Sequence, residues 1–293
     1  MLTLEPHEGF INVEGGKIWY KIVGAQKSKT PLVVIHGGPG ATHDYLESIA
    51  ELSDERPIIF YDQLGSGNSD LPADNSLWNV ERFVNELDSI IKQLTTDKVH
   101  LLGQSWGTML AVDYMLTRKN QQVTSLILSA PCLSAELWVK DQKKYLSEFE
   151  IEIQHIINEA EINKDFSSSE YQNAMMLYYR KHMCNMHVWP EMLQRTFAKM
   201  GQSVYNYMWG ASEFTVTGTL KNYNRVKELK NIKIPVLFTA GRYDEASPES
   251  TRIYKDNLPG SEIYIFEDAT HSHHLEKTDE YNSLIRAFLN KVN

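Results

Sequence analysis

Short, mostly apolar runs alternate along the chain with longer stretches in which apolar residues recur every three or four positions. The β-branched run at 31–35 reads as a strand buried on both faces, those at 57–61, 99–102 and 123–129 as further buried strands, and those at 234–240 and 262–266 resume the sheet pattern. Between them the spacing predicts helices. The clearest spans 79–94, where Val80, Phe83, Val84, Leu87, Ile90, Ile91 and Leu94 share one face. Others are expected over 44–52, directly after residue 105, over 248–257, and over 277–291, where Tyr281, Leu284, Ile285, Phe288 and Leu289 line one side. Residues 10–14 and 17–23 flank Gly15-Gly16 and read as a hairpin. Strand and helix in alternation predict an α/β fold: a mostly parallel sheet with helices on both faces, and a ligand site at the carboxyl ends of the strands.

That pattern lapses between about 132 and 228. Helical sequence at 136–160 is followed by a polar break at 163–169 and further helical stretches at 171–181 and 191–200. The segment reads as a helical cap inserted into a core made of 1–131 and 229–293. Seven of the ten methionines lie in it, with Trp138, Trp189 and Trp209. Such residues suit an adaptable apolar cavity, and equally the cap's own core.

Composition narrows the partners. The chain has 293 residues, 42% hydrophobic and 23% charged, with a net charge of −9 and no basic stripe. These values describe a globular protein and argue against nucleic acid and anionic membranes as partners. No apolar stretch is long enough to span a bilayer, and residues 1–10 carry no signal-peptide pattern. Cys132 and Cys184 are far apart and fit neither a disulfide framework nor a metal site, which points to the cytoplasm.

The chemistry centres on Gly103-Gln104-Ser105-Trp106-Gly107, a G-x-S-x-G run between a strand and a helix. In that context the glycines permit a sharp turn and Ser105 stands on its tip with an exposed hydroxyl. A serine nucleophile needs a base and an orienting acid. Asp244 follows the strand at 234–240 and His271 follows the strand at 262–266, giving the chain order Ser105, Asp244, His271. His273 and His274 are alternative bases, and Asp62 an alternative acid. The order along the chain disfavours Asp62, whose loop reads as a structural turn, and Asp268 reads as a loop carboxylate on the local backbone. Two backbone N–H groups should hold the oxyanion: that of Trp106 and one from His36-Gly37-Gly38, at Gly37 or Gly38. The reaction requires no metal or organic cofactor.

Taken together, HGGPG at 36–40, DQLGSGNS at 62–69, GQSWGT at 103–108, GRYDE at 241–245 and the late His271 resemble the prolyl iminopeptidases of the α/β-hydrolase fold over nearly the whole chain. The segment SEFTVTGTL at 212–220 and Glu245 are most similar to the tricorn-interacting aminopeptidase branch. The resemblance implies a serine peptidase releasing N-terminal residues, often proline, from short peptides or aminoacyl amides, with Glu213 and Glu245 holding the substrate's amino group. Chemistry supplies its own reason for those glutamates, since a cationic terminus in an apolar pocket needs carboxylates. Thr108 departs from the glycine common among such relatives and should crowd the turn slightly. Two other readings stay open: an amidase, esterase or lactonase on the same triad, and a non-catalytic small-molecule receptor. A monomer is expected, with a homo-oligomer as the alternative.

Overall fold

The computed structural model describes residues 7–95, 97–118 and 122–292. Residues 1–6, part of the stretch read above as carrying no leader, lie outside the described residues. The N-terminal hairpin pairs β1 (His7–Val13) with β2 (Gly16–Val23), its turn one residue earlier than the Gly15-Gly16 pair suggested. Then follow β3 (Leu32–Ile35), β4 (Ile58–Tyr61), α1 (Val80–Leu94), β5 (Val99–Gln104), α2 (Trp106–Thr117) and β6 (Val123–Ser129). Five helices come next: α3 (Ala135–Leu146), α4 (Ile151–Asn163), α5 (Ser169–His182), α6 (Glu191–Ala198) and α7 (Gln202–Met208). The chain closes with β7 (Val236–Gly241), α8 (Pro248–Asp256), β8 (Glu262–Phe266), α9 (His273–Glu276) and α10 (Thr278–Lys291).

The described strands form one sheet in the order β1-β2-β4-β3-β5-β6-β7-β8. β2 runs antiparallel to both its neighbours, β1 and β4, and the remaining pairs are parallel. Both faces are covered, so β3, β4 and β5 are buried at every position. On one face, Val33, Ile35 and Leu101 pack with Phe83, Leu87, Ile90 and Met109 of α1 and α2. On the other, Val34, Phe60 and Leu102 pack with Leu46, Ile49, Tyr281 and Ile285. Burial of this kind contributes roughly 1.5–3 kcal/mol per large apolar side chain. The apolar stripe of α1 explains its helix, and the Asn79 side chain starts it by accepting the Arg82 N–H at 2.9 Å.

The register sets up the site. Ile35 pairs with Gly103, and Gln104 pairs with Ser129. The loops after β3, β5, β6, β7 and β8 therefore open at one end of the sheet. Helices α3 to α7 lie between β6 and β7 in the chain. Their sequence differs from the expectation in two places. The stretch at 136–160 is two helices, because Phe149 turns inward onto Tyr178 and His182, and Gln154 Nε2 bonds the Phe149 carbonyl at 2.8 Å. Helix α7, only seven residues long, gives too little periodicity to be read from sequence. The stretch 43–54 is wound as 3-10 turns, with the Thr42 side chain accepting the Asp44 N–H.

Candidate active site

Ser105 occupies the sharp corner between β5 and α2 with φ 53° and ψ −122°, a backbone region that a non-glycine residue avoids. The corner is held from both sides. The Ser105 N–H bonds the Ser129 carbonyl at 3.0 Å, and the Ser105 carbonyl accepts the Thr108 N–H at 2.8 Å. A methyl group at Gly107 would lie 2.2 Å from the Ile35 carbonyl, and one at Gly103 2.3 Å from the Gly107 carbonyl, so neither position admits a side chain. Thr108 does not crowd the turn. Its hydroxyl bonds the Ser105 carbonyl at 2.6 Å and accepts the Cys132 N–H at 3.1 Å, which ties the corner to the start of the helical insertion.

His271 Nδ1 lies 2.7 Å from Asp244 Oδ1. Asp244 is fully buried. Its Oδ1 also accepts the Ala246 N–H at 2.8 Å and its Oδ2 the Gly241 N–H at 3.2 Å. Those bonds fix the carboxylate as acceptor, so Nδ1 carries the proton and Nε2 faces away from it. Ser105, His271, Glu213 and Glu245 all line one cavity of about 640 Å³.

The rival residues are engaged by other partners, although His273 Nδ1 comes within 3.7 Å of Asp244 Oδ2. His273 is fully buried, with Nε2 3.0 Å from both the Ser129 and Thr239 hydroxyls and Nδ1 3.2 Å from the Thr270 carbonyl. His274 Nε2 meets the Tyr45 carbonyl at 3.0 Å. Burial pushes His274 down to about 3 and His273 well below the usual imidazole range. Both are packing groups. His273→Ala and His274→Ala are expected to lower unfolding free energy by about 2–4 kcal/mol, through cavities and orphaned partners. The folded fraction should keep kcat within about tenfold. Denaturant titration paired with active-site-normalised rates checks this, and a folded variant with kcat reduced a thousandfold would relocate the base. Asp62 accepts His43 Nδ1 and the His43 N–H, each at 2.8 Å, and the Asn68 N–H at 2.9 Å; it is the turn-forming carboxylate expected. Asp268 is exposed with φ 54°, and its carboxylate makes no described bond to the local backbone.

The two glycines expected to offer an oxyanion donor differ in their bonding. Gly37 abuts Ser105, since a methyl there would stand 3.1 Å from Ser105 Cβ. Its N–H, however, donates to the Tyr45 hydroxyl at 2.8 Å, and that hydroxyl donates to Gln104 Oε1. Gly37 is thus spoken for, contrary to the equal standing given it above. Among the described residues no hydrogen bond uses the Gly38 N–H, and Gly38 lines the cavity. The Trp106 N–H lies in the first turn of α2, where no intrahelical acceptor exists. The Trp106 indole bonds Gln63 Oε1 at 2.9 Å, and the Gln63 N–H bonds His36 Nε2 at 2.9 Å. This network behind the loop was not read from the sequence: nothing local in Tyr45, Gln63 or Gln104 announces it.

Glu245 is 5% exposed, with Oε1 3.7 Å from His271 Nε2 and Oε2 without a partner among the described residues. Its backbone is anchored by Gln142 Nε2 on the carbonyl at 2.8 Å. Glu213 is partly buried, and its Oε1 accepts the Tyr205 hydroxyl. Trp138 Nε1 bonds the Glu213 carbonyl at 3.0 Å, and the Trp138 ring stands edge-on to His271 at 6.2 Å. Burial raises Glu213 and pushes Glu245 up to about 8. Burial also pulls His271 down, but Asp244, Glu245 and Glu213 outweigh it and leave the imidazole at about 9. Phe166, Tyr171, Met175 and Tyr179 of the insertion form the far wall of the cavity. Tyr171 and Met175 are also part of the insertion's own core, so the two readings of these aromatic and methionine side chains merge.

The sequence model of the alpha/beta hydrolase fold matches residues 30–278. A proline iminopeptidase from Heyndrickxia coagulans is 43% identical over 286 residues, covering 97% of this chain and 99% of that one. Two solved structures superpose closely. The crystal structure of VinJ gives a TM-score of 0.94 at 29% identity, covering 98% of this chain and 99% of that one. That of a proline iminopeptidase from Mycobacterium smegmatis gives 0.90 at 30% identity, covering 97% and 98%.

Proposed function

The chain belongs to the α/β-hydrolase fold family and, within it, to the proline iminopeptidases, and from that premise we propose that it is a serine exopeptidase releasing N-terminal proline from short peptides. Ser105 Oγ attacks the carbonyl carbon of the first residue as His271 Nε2 takes its proton. Asp244 holds the imidazole tautomer and offsets the charge that forms on it. The N–H groups of Trp106 and Gly38 receive the oxyanion. His271 then protonates the leaving amine, and water attacks the acyl-enzyme by the same path in reverse.

The observation that carries the reading is the pair of buried carboxylates beside the triad, Glu213 and Glu245. Two carboxyl groups in a largely apolar cavity, with Glu245 Oε2 lacking a hydrogen-bond partner among the described residues, suit a cation. An N-terminal proline presents a pyrrolidinium with two N–H donors, one for each carboxylate. Segments 1–131 and 229–293 form the hydrolase core in this reading, and 132–228 form a cap whose inner wall limits access to slender chains. All the groups named come from one chain, so a monomer suffices. Cys132 and Cys184 are buried and unpaired, in keeping with a cytoplasmic enzyme. Among the described residues, no helix is long and apolar enough to cross a membrane.

The test compares proline p-nitroanilide with its N-acetyl derivative. Acetylation should lower kcat/KM by about 10²–10³, since it removes the charge both glutamates await. Glu213→Gln and Glu245→Gln, which keep shape, should each cost about 2–4 kcal/mol in kcat/KM on the free-amino substrate. Equal rates on the two anilides would replace the aminopeptidase by an amidase or esterase on the same triad.

A further inference from the structure

One of the two glutamates has a second neighbour. Glu245 Oε1 lies 3.7 Å from His271 Nε2, the nitrogen that must accept the Ser105 proton. A carboxylate in that position competes with the serine hydroxyl for the same atom. We propose that Glu245 determines specificity through the base as well as through binding: in the empty site it holds a proton on His271 Nε2, and the substrate's ammonium draws the carboxylate away and frees that nitrogen. The proposal rests on the aminopeptidase reading and adds to it a reason why a bound but uncharged substrate should turn over slowly.

The groups facing His271 are these. From the loop after β7 come Asp244 on Nδ1 and Glu245 on Nε2; from the segment after α7 comes Glu213. From the imidazole's own stretch come His273 and His274, both held neutral by burial. From α5 comes His182, also held neutral, which contributes its carbonyl to the His271 N–H at 3.0 Å. From α3 comes only the edge of the Trp138 ring. Among the described residues, His271 is therefore faced by three acids and by no lysine or arginine. Its site is 8% exposed, so water screens these charges little. A protonated imidazole is the favoured state of the empty site, in line with the upward displacement given above.

The proton balance is simple. In the empty site the proton on Nε2 faces the Glu245 carboxyl group across 3.7 Å. A pyrrolidinium entering the cavity brings its own positive charge to Glu213 and Glu245. Glu245 then forms its ion pair with the substrate, the Nε2 proton leaves to solvent, and the lone pair faces Ser105. No other bond changes. A neutral ester supplies no such charge and meets a base that is still protonated.

The experiment uses full-length wild type and Glu245→Gln with p-nitrophenyl acetate and proline p-nitroanilide across pH 6–10, and follows His271 by NMR in histidine-labelled protein. In wild type, ester kcat/KM should rise with pH through an apparent pKa well above that of free imidazole. In Glu245→Gln that value should fall by at least one unit, and ester kcat/KM at pH 7 should increase about tenfold, because one unit of pKa is tenfold in free base. The same substitution should slow proline p-nitroanilide, so the two substrates respond in opposite directions. Adding pyrrolidinium to wild type should lower the NMR midpoint of His271 by at least one unit, a measurement that needs no variant. An ester profile and a His271 midpoint unmoved by both Glu245→Gln and pyrrolidinium overturn the proposal. Failure to distinguish proline from N-acetylproline p-nitroanilide overturns the aminopeptidase reading instead, and the two results are read separately.

Discussion

Ser105→Ala is expected to lower kcat on proline p-nitroanilide by about 10⁴ or more while leaving the fold intact. The size follows from what remains without the nucleophile: the oxyanion donors and the cavity still bind, but no acyl-enzyme can form. The fold should survive because the backbone, not the hydroxyl, holds the corner. The Ser105 N–H and carbonyl make their bonds to Ser129 and Thr108, and no described bond uses the side chain. Alanine also retains a Cβ, so the positive φ is no worse tolerated than before. His271→Ala should be about as damaging, since a hydroxyl without a base is a poor nucleophile. The double variant should be little worse than either, because the two residues act as one unit. Circular dichroism and single-turnover rates per mole of folded protein provide the check. A well-folded Ser105→Ala protein with kcat within tenfold of wild type would remove Ser105 from the mechanism, and additive losses would show that the two residues do not work together.

What the sequence discloses here depends on how local each signal is. The strands at 123–129 and 262–266 are recovered to the residue, because an apolar run bounded by polar residues needs no tertiary information. Asp244 and His271 are legible because a parallel sheet delivers the end of every strand to one edge, so chain order alone brings them together. Glu245 follows by covalent adjacency. Glu213 reads in isolation like any surface glutamate, and its burial arises only when Tyr205 and Trp138 close over it. The choice between Gly37 and Gly38 could not be read either. It turns on the Tyr45 hydroxyl, eight residues on, and on a 3-10 turn whose facing cannot be deduced from a helical period. The same holds for the 3.7 Å approach of Glu245 to His271, which two neighbouring sequence motifs do not express.

Asp244→Asn is the second change with a very large expected effect, a loss in kcat of about 10⁴ with little change in KM. The structure shows why isosteric replacement cannot rescue function. Asp244 Oδ1 takes both His271 Nδ1 and the Ala246 N–H, while Oδ2 takes the Gly241 N–H. All three partners are donors. An asparagine must therefore turn its NH₂ group toward at least one of them. If it faces His271, the imidazole is driven to the tautomer with its proton on Nε2 and cannot accept from Ser105. If it faces Gly241, the tautomer is correct but the imidazolium forms without its buried counter-charge. Each orientation strands one backbone N–H, that of Ala246 or that of Gly241, and each removes the buried counter-charge of the imidazolium, so the loss has an electrostatic part in both. It has a pH signature. Asp244 is the foremost of the groups that raise His271, so the apparent pKa of kcat/KM should fall in Asp244→Asn, with the reduced rate reaching its plateau at lower pH than in wild type. Histidine-detected NMR distinguishes the orientations, because only one leaves Nδ1 protonated. A variant with kcat within tenfold of wild type, or with an unshifted pH profile, would show that Asp244 does not act on His271.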